Sequence, residues 1–355
     1  MNLSSPFSGL KVIELANVLA GPSVGMFFAE LGADVLKIEN PHGGDITRKW
    51  KLPEEDPAAP ASAYFASVNW GKKHIFLDLA SADGHAEILR LLENADLLIV
   101  NFKPGDAEKF RLDYASIAGK FPRLIYAHIT GYGENDHRPA FDLALQAESG
   151  FMSMNGNAES GPLKMPIALI DLVAAHQAKE GILTALLLRE KSGKGCSVHV
   201  SLYASAIASL SNQATNYLVA GHVPGLAGSL HPNIAPYGET FTCKDGRQFV
   251  LAVGTDAQFG RLCRLAGLEA LAADERFSVN SSRVKNRTAL AALLAPFFIN
   301  ETAGKLEELL GESGVPCSVI RTVAEALDSP EAQDLIQVSS FGKCVRTAIF
   351  DLSAG

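Results

Sequence analysis

Long apolar runs are missing from this sequence of 355 residues. A membrane-spanning helix needs roughly 20 consecutive apolar residues, and no segment approaches that length. The first residues also lack the basic and apolar regions of a signal peptide. Lys and Arg form no block, and the net charge of −8 disfavours binding to nucleic acid. We therefore expect a cytoplasmic protein with neither a membrane nor a nucleic-acid partner.

Cysteine is scarce as well, and it is scattered along the chain. None of the five cysteines forms a C-x-x-C pair, which argues against a disulfide framework and against a zinc site. The nine histidines include no H-E-x-x-H motif, so nothing indicates a zinc protease. We expect a reducing compartment and no bound metal. The five cysteines are Cys196, Cys243, Cys263, Cys317 and Cys344.

The first forty residues have the pattern of a β-α-β unit. Lys11–Leu15 and Asp34–Glu39 are short runs rich in Val, Ile and Leu, which favour strands. Between them, Val24–Leu31 has a helical pattern that follows the turn Ala20–Ser23, where Pro22 suits the first turn of a helix. A crossover helix of this kind makes its two strands parallel.

The same alternation continues through the first two hundred residues. Repeated strand and helix patterns are typical of a parallel sheet that helices cover on both faces. We therefore predict the α/β class, with a Rossmann-like open parallel sheet. Further strands are predicted at His74–Leu79, Asp96–Phe102, Leu124–Thr130 and Ser197–Leu202, and further helices at Gly84–Asn94 and Asp171–Lys191.

The pattern changes near residue 205. Tyr237–Cys243 and Gln248–Val253 flank an Asp-Gly turn, which predicts a β-hairpin. Helical patterns follow, and Pro316–Thr322 is predicted to be a strand that returns toward the first domain. These features indicate a second, smaller α+β domain. The predicted division is a large domain at 1–205, completed by 325–355, and a small domain with linkers at 206–324.

The turn after the first strand resembles a dinucleotide site only in part. Glu39 ends the second strand, where an acidic residue often binds a ribose hydroxyl. The turn Ala20–Ser23 lacks the G-x-G-x-x-G pattern, so NAD and FAD are disfavoured. Two interpretations stay open. The turn is either a helix cap with nothing bound, or a helix N-terminus that binds a phosphate or carbonyl oxygen.

Asp171 lies in the otherwise apolar run Pro166–Ala175. A carboxylate there is costly unless it caps a helix or reacts. Asp is a favoured N-cap, so Asp171 can simply begin the helix that follows. The positive end of the helix dipole would also keep such a carboxylate ionised and exposed as a nucleophile. The residues alone leave both interpretations open.

Ordered motifs along most of the chain resemble one family, the class III CoA-transferases (CaiB/BaiF), which include formyl-CoA transferase and carnitine CoA-transferase. The similarity is strongest in Pro139–Gly150 and at Asp171. It extends over both predicted domains. The other motifs include Gly9–Leu15, Ala20–Pro22, Leu31–Glu39, Gly44–Arg48, Asn69–Lys73, Asn101–Gly105, Thr130–Gly133, Ser192–Gly195, His231–Tyr237 and Asp274–Phe277.

This resemblance implies an acyl-CoA:carboxylate CoA-transferase with Asp171 as its catalytic nucleophile. The aspartate would form a mixed anhydride and then an aspartyl-CoA thioester. Coenzyme A would be a substrate, and no cofactor would be bound permanently. The resemblance also implies an interlocked homodimer. The implied CoA-contact residues are Val18, Leu19, Ala20, Lys72, Lys73, Asn101, Phe102, Lys109 and Tyr132, and the lysines would meet phosphates as point charges.

Two other functions remain as alternatives. The first is an α-methylacyl-CoA racemase, an isomerase that needs two acid/base groups beside the α-carbon. Racemase-like sequences have Gly-His-Asp where this chain has Ala140-Phe141-Asp142, and Phe141 cannot transfer a proton. The second alternative is a non-catalytic CoA-binding subunit. Loss of the aspartate would indicate such a subunit, and Asp171 is present.

Overall fold

The computed structural model of the chain describes residues 5–353. Most of its strands fall close to predicted segments, whereas the short strands at 156–157, 161–162, 336–339 and 342–345 were not predicted. In chain order they are β1 Lys11–Leu15, β2 Asp34–Glu39, β3 Lys73–Phe76, β4 Leu97–Val100, β5 Ile125–Thr130, β6 Gly156–Asn157, β7 Gly161–Pro162, β8 Ser197–Ser201, β9 Tyr237–Thr242, β10 Gln248–Ala252, β11 Cys317–Val319, β12 Ile336–Ser339 and β13 Gly342–Val345.

Helices alternate with these strands. Within residues 5–353, no helix is both long enough and apolar enough to cross a membrane. In chain order the helices are α1 Ala20–Glu30, α2 Ala63–Ala66, α3 Ala82–Leu92, α4 Asp106–Lys109, α5 Tyr114–Ile117, α6 Asp142–Glu148, α7 Phe151–Met154, α8 Leu169–Ser192, α9 Leu202–Ala208, α10 Ser211–Ala220, α11 Asp256–Leu265, α12 Asn280–Lys285, α13 Arg287–Ile299, α14 Ala303–Glu312, α15 Val323–Leu327 and α16 Pro330–Gln333.

Six strands form one parallel sheet in the order β3-β2-β1-β4-β5-β8. Every neighbouring pair in it is parallel, and β1 is paired with β2 on one side and β4 on the other. The helical crossovers between these strands enforce this arrangement. The predicted α/β class with an open parallel sheet is therefore confirmed.

Alternate residues of the central strands enter two different cores. Val12 packs against α1 and α8 on one face, whereas Ile13 packs with residues of α3 on the other. In β4, Ile99 belongs to the first core and Leu98 to the second. This is the period of two expected for a strand, and burial on both faces explains why β4 is apolar throughout.

The chain divides into two compact units. The larger contains the residues up to Phe151, Lys164–Thr215 and the chain from Pro330 onward; the smaller contains Met152–Leu163 and Asn216–Ser329. The predicted boundaries near 205 and 325 differ somewhat from these limits. The predicted boundaries refer to domains that fold independently, and compactness alone does not measure independent folding. The predicted domain division therefore stays a prediction.

The smaller unit contains an antiparallel sheet in the order β11-β10-β9. The predicted hairpin is confirmed, because β9 and β10 pair across Asp245-Gly246. The strand predicted at Pro316–Thr322 is present as β11, within the predicted small domain. It pairs antiparallel with β10, and Val319 joins the apolar core of the smaller unit.

The segment after Pro330 completes the larger unit. Its hairpin β12–β13 places Phe341 against Phe65, with ring centroids 5.1 Å apart. The Glu30 carboxylate, at the end of α1, accepts hydrogen bonds from the backbone N–H groups of Thr347 (2.9 Å) and Ala348 (2.8 Å). A chain segment distant in sequence is thus fixed to the first helix.

Candidate active site

β1 and β4 lie side by side in the sheet centre. From β1 the chain adds β2 and β3 on one side, and from β4 it adds β5 and β8 on the other side. Loops that leave such a pair diverge and open a crevice at the carboxyl edge, the usual ligand site of open α/β sheets. Asn101, just after β4, joins the two loops. Its side chain accepts a hydrogen bond from the Asn17 N–H (2.9 Å) and donates one to the Asn17 carbonyl (2.7 Å).

The loop between β1 and α1 holds an unusual backbone conformation. Val18 has a φ of +72°, in the left-handed region that β-branched residues rarely adopt. The Asp45 carboxylate accepts from the Val18 N–H at 3.2 and 3.3 Å, and also from the Thr47 N–H at 3.0 Å. Such strained positions cluster at functional sites, where neighbouring contacts hold them in place.

Beneath this loop lies a fully enclosed network of charges. The Glu14 carboxylate pairs with the Lys37 ammonium at 2.9 Å and with the Lys72 ammonium at 2.8 Å. Lys37 also contacts Asp45 at 3.2 Å. A Cβ at Gly25 would lie 1.8 Å from a Glu14 oxygen, so only glycine lets α1 pass this network. The charges thereby brace the base of the β1–α1 loop.

This network changes the interpretation of Lys72. Its Nζ also donates to the Pro22 carbonyl at 2.8 Å and to the Asn69 amide oxygen at 3.0 Å. Burial lowers the pKa of Lys72 to about 8, despite its contact with Glu14. The ammonium is therefore occupied inside the protein, which argues against the expected direct contact with a phosphate.

Lys73 lies at the opposite edge of the sheet from the loops of the crevice. It begins β3, and its ammonium contacts Asp34 at 2.7 Å, at the start of β2. The carboxyl edge, where β1 and β4 end, is the other end of these parallel strands. Within the described chain, the expected CoA-contact residues do not all converge, because Lys73 is separated from Val18 and Asn101.

Phe102, Lys109 and Tyr132 follow the carboxyl ends of β4 and β5, whereas Leu19 and Ala20 follow β1. Phe102 packs against Phe110, with ring centroids 5.7 Å apart. Lys109 is exposed, and its ammonium lies 5.6 Å from the Phe110 ring centroid. The Tyr132 hydroxyl donates to Glu148, and the Arg138 guanidinium lies 3.6 Å from the Tyr132 ring centroid. Leu19 and Ala20 are buried at the start of α1.

Glu39 is not available to a ribose. Its carboxylate accepts two hydrogen bonds from Arg48, at 2.7 and 2.6 Å, and one from the Asp45 N–H at 2.8 Å. His74 lies 3.0 Å away. Burial opposes ionisation, but these donors outweigh it and hold the pKa of Glu39 far below its usual value. The residue thus fixes Asp45 and supports the structural interpretation over a dinucleotide site.

Residues 21–25 also match the G-x-S-x-G signature of serine hydrolases. In those enzymes the serine lies on a sharp strand-to-helix turn, with its hydroxyl exposed. Ser23 instead lies within α1 and is 3% exposed, and its hydroxyl has no hydrogen-bond partner in the part of the chain that the structure describes. The motif therefore does not indicate a serine nucleophile here.

Asp171 lies at the beginning of α8, at the same edge of the sheet as the crevice. Helix α8 precedes β8, so it must run back to the amino edge and begin at the carboxyl edge, as α1 does. Asp171 is only 9% exposed. Within residues 5–353, its carboxylate accepts no hydrogen bond and forms no ion pair. An isolated buried carboxylate is costly, which favours a functional role.

Asp171 is not the N-cap that the sequence suggested. The helix begins at Leu169, and its N-cap Ala168 has no capping side chain. Asp142, the first residue of α6, caps the helix from outside. One of its oxygens accepts from the Ile170 N–H at 2.7 Å and lies 3.4 Å from the Asp171 nitrogen. The Gln146 side chain donates to the other Asp142 oxygen at 2.6 Å.

The electrostatics of Asp171 also differ from expectation. The helix dipole was expected to keep this carboxylate ionised and exposed. Burial, followed by the nearby charge of Asp142, instead raises the pKa of Asp171 to about 7. Burial and then the charges of Asp171, Asp142 and Asp45 raise the pKa of Tyr64 to about 12.

The chain matches the family profile described as CoA-transferase family III over residues 7–343. It belongs to this family. Succinate–glutarate CoA-transferase of Agrobacterium fabrum is 38% identical over 338 residues, covering 94% of this chain and 84% of that protein. Acetyl-CoA:oxalate CoA-transferase of Acetobacter aceti is 36% identical over 330 residues, covering 92% and 83%.

A solved structure agrees with this assignment. The crystal structure of a CaiB/BaiF family protein from Brucella suis superposes with a TM-score of 0.84 at 38% identity, covering 98% of this chain and 93% of that one. The resemblance to class III CoA-transferases is therefore confirmed. This family III member is an acyl-CoA:carboxylate CoA-transferase, which uses CoA thioesters as substrates.

Three residues near Asp171 or the β1–α1 loop were not predicted from the sequence. Asp45 and Asp142 lie inside motifs that carried the family resemblance, so the sequence did mark both positions. Tyr64 had no such signal, because it lies in none of those motifs. Phe141 is exposed just before α6 and remains without acid/base chemistry.

The raised pKa of Asp171 makes a catalytic role for this residue testable through pH. If Asp171 attacks as its carboxylate, kcat/KM should fall as pH decreases through about 7. Asp142→Asn keeps an oxygen that can accept from Ile170 but removes the neighbouring negative charge. The pKa of Asp171 should then decrease, and the acid limb of the profile should move to lower pH.

Asp113→Asn is the matched control for this comparison. Asp113 also caps a helix, accepting from the Ser116 N–H at 3.0 Å, but its neighbour is Tyr126 and not Asp171. Its profile should coincide with that of the unmodified enzyme. An Asp142→Asn profile with an unmoved acid limb would contradict the electrostatic role of Asp142.

Proposed function

We propose that this CoA-transferase works through Asp171 as a covalent nucleophile. The observation that carries the proposal is the buried Asp171 carboxylate at the start of α8, beside the carboxyl edge of the sheet, which accepts no hydrogen bond from the described residues. The raised pKa supports it, because a more basic carboxylate is a stronger nucleophile once it is ionised. Asp142 is proposed to position it by fixing the first turn of α8.

The reaction would proceed by alternate attack at two carbonyl carbons. The Asp171 carboxylate attacks the donor thioester and expels CoA thiolate, which leaves a mixed anhydride. The thiolate then attacks the aspartyl carbonyl and releases the donor acid, which leaves an aspartyl-CoA thioester. The acceptor carboxylate displaces the thiolate, forming a second anhydride. The thiolate then attacks the acceptor acyl carbon of this second anhydride, which forms the new acyl-CoA and releases the Asp171 carboxylate.

An aspartate suits this exchange because its intermediates retain the energy of the thioester. An anhydride is at least as activated as a thioester, so CoA can be transferred back, whereas a serine ester would be a low-energy trap. The first-turn amides of Ala20 and Gly21 lack intrahelical acceptors. We assign them to stabilise the oxyanions that form at each attack.

The CoA site is proposed to follow the carboxyl ends of β1, β4 and β5. Its members are Val18, Leu19, Ala20, Asn101, Phe102, Lys109 and Tyr132. Asn101 acts by holding the β1–α1 loop, since both ends of its amide are bonded to Asn17. The exposed Lys109 is available as a point charge for a phosphate. Lys72 is assigned a structural role.

We propose a short dicarboxylic acid as the acceptor. The names of both relatives given above include such acids, glutarate and oxalate. The purified enzyme would be incubated with succinyl-CoA or acetyl-CoA and a panel of monocarboxylic and dicarboxylic acids. Mass spectrometry would then detect new thioesters. Transfer to monocarboxylic acids alone would contradict this choice of acceptor, while leaving the role of Asp171 intact.

Trapping the intermediate tests the mechanism directly. With acyl-CoA and no acceptor, hydroxylamine should convert Asp171 to a hydroxamate, which adds mass to the peptide around Met165–Lys179. Borohydride should reduce the aspartyl-CoA thioester to an alcohol. Both products should require acyl-CoA and be missing from Asp171→Ala. An adduct on Cys196 instead, or none under turnover, would refute the covalent aspartate.

The homodimer and the cytoplasmic location are also kept as proposals. Leu183, Leu187 and Leu188 of α8 are between 39% and 59% exposed, which supports burial of this face against a second copy. The five cysteines are unpaired, which is consistent with a reducing compartment. Light scattering on the eluted protein, giving twice the chain mass, would support the dimer.

A further inference from the structure

His128, Glu134 and His199 form a cluster at one edge of the large sheet. His128 in β5 and His199 in β8 are register partners, so both side chains project from the same face. Glu134 lies in the loop after β5, and its Oε1 is 3.0 Å from the His199 Nδ1. One potential ligand atom from each of the three residues lies within 4.8 Å of the others.

His128 is the buried member of this cluster. The residue is 9% exposed, and its Nε2 has no hydrogen-bond partner within residues 5–353. A histidine that binds a metal uses one ring nitrogen as the ligand, so that nitrogen must be free of other hydrogen bonds. A buried, unpartnered nitrogen is otherwise costly.

We propose that His128, Glu134 and His199 bind one divalent transition-metal ion of the zinc class. Two imidazoles and one carboxylate are a ligand set that zinc and cobalt accept, with water in the remaining position. Ligand atoms about 2.0–2.2 Å from such an ion lie roughly 3.3 Å apart in a tetrahedron. The pair Glu134–His199 is already near this separation.

The distances between the three ligand atoms, now within 4.8 Å, would have to shorten to roughly 3.3 Å to bring in the third ligand. The Glu134 side chain is 56% exposed and that of His199 is 34% exposed, so both have room to move toward the buried His128. The ion would join β5 to the edge strand β8 and fix the loop after β5. The sequence predicted no metal because these ligands are separated along the chain and only the register of β5 and β8 unites them.

Cobalt provides a direct test with the full chain. Tag-free protein, treated with a chelator and dialysed, would be titrated with Co²⁺ at pH 7.5. We expect visible absorption bands that saturate at one ion per chain and disappear when Zn²⁺ displaces the cobalt. Zn²⁺ should also raise Tm. Transfer activity is not the readout, so this result is independent of the proposed role of Asp171.

The ligand variants are His199→Gln and Glu134→Gln, since both residues are partly exposed and their replacement should leave the fold intact. Each should weaken Co²⁺ binding at least tenfold and abolish the increase in Tm. His137→Gln is the control, because His137 lies in the same loop outside the cluster. The absence of saturable Co²⁺ bands, or equal weakening in His137→Gln, would overturn the proposal and leave a His199–Glu134 ion pair alone.

Discussion

Asp171→Asn should lose at least about a thousandfold in CoA-transfer rate, which corresponds to roughly 4 kcal/mol of transition-state stabilisation. The amide has nearly the same shape as the carboxylate but cannot attack a thioester. The fold should not suffer, because the Asp171 carboxylate accepts no hydrogen bond within residues 5–353. The rate would be measured as new acyl-CoA formed under saturating donor.

Stability separates this catalytic role from a structural one. Burial and Asp142 raise the pKa of Asp171 to about 7 from an ordinary value of 3.8. An acid whose pKa is raised in the folded state lowers stability progressively as pH rises from 3.8 to about 7, and the full cost is present at pH 8. Asp171→Asn should therefore have an equal or higher Tm at pH 8. Retention of more than a tenth of the activity, with deamidation excluded by mass, would disprove the assignment.

Glu14→Ala should lower the free energy of unfolding of the larger unit by about 3–5 kcal/mol. Its carboxylate is the shared partner of two enclosed ammonium groups, on Lys37 and Lys72. Removing it leaves both cations without their main counter-charge in a site that water does not reach. Urea titration at pH 7.5, followed by tryptophan fluorescence, would measure the change.

The chain offers both a specific probe and a matched control for this experiment. Its two tryptophans, Trp50 and Trp70, lie in the larger unit, so their fluorescence reports on that unit. Lys73→Ala removes an exposed ion pair with Asp34, which should cost less than about 1 kcal/mol. If Glu14→Ala costs no more than Lys73→Ala, the buried network does not stabilise the larger unit.

The strands could be predicted because their signal is local. The predicted limits of Lys11–Leu15 and Asp34–Glu39 agree with the structure, since runs of Val, Ile and Leu suit strands buried on both faces. The strand predicted to reach Leu79 ends at Phe76. Asp78 begins a turn there, with its carbonyl accepting from the Ser81 N–H at 3.1 Å, and the apolar pattern alone did not reveal it.

The site was predicted less well, because its chemistry depends on contacts between distant residues. The family motifs brought attention to Asp171, but its cap comes from Asp142, 28 residues before Ile170. Lys72 was predicted to contact a phosphate, but its ammonium is bound by Glu14, 58 residues away. A sequence pattern shows that a charge is present, whereas its partners are determined only by the assembled fold.

The discontinuous larger unit also has a consequence for synthesis on the ribosome. Helix α1 is among the first elements made, yet the backbone groups of Thr347 and Ala348 that bind its last residue, Glu30, emerge only after the smaller unit. During translation, the surface against which β12–β13 will pack therefore stays uncovered. It includes the edge of Phe65 that Phe341 later covers. Such exposed apolar surface is what chaperones bind and what aggregates when they are scarce. Slow emergence of residues 216–329 should prolong that exposure. The time needed to synthesise the smaller unit therefore determines how long the larger unit stays incomplete.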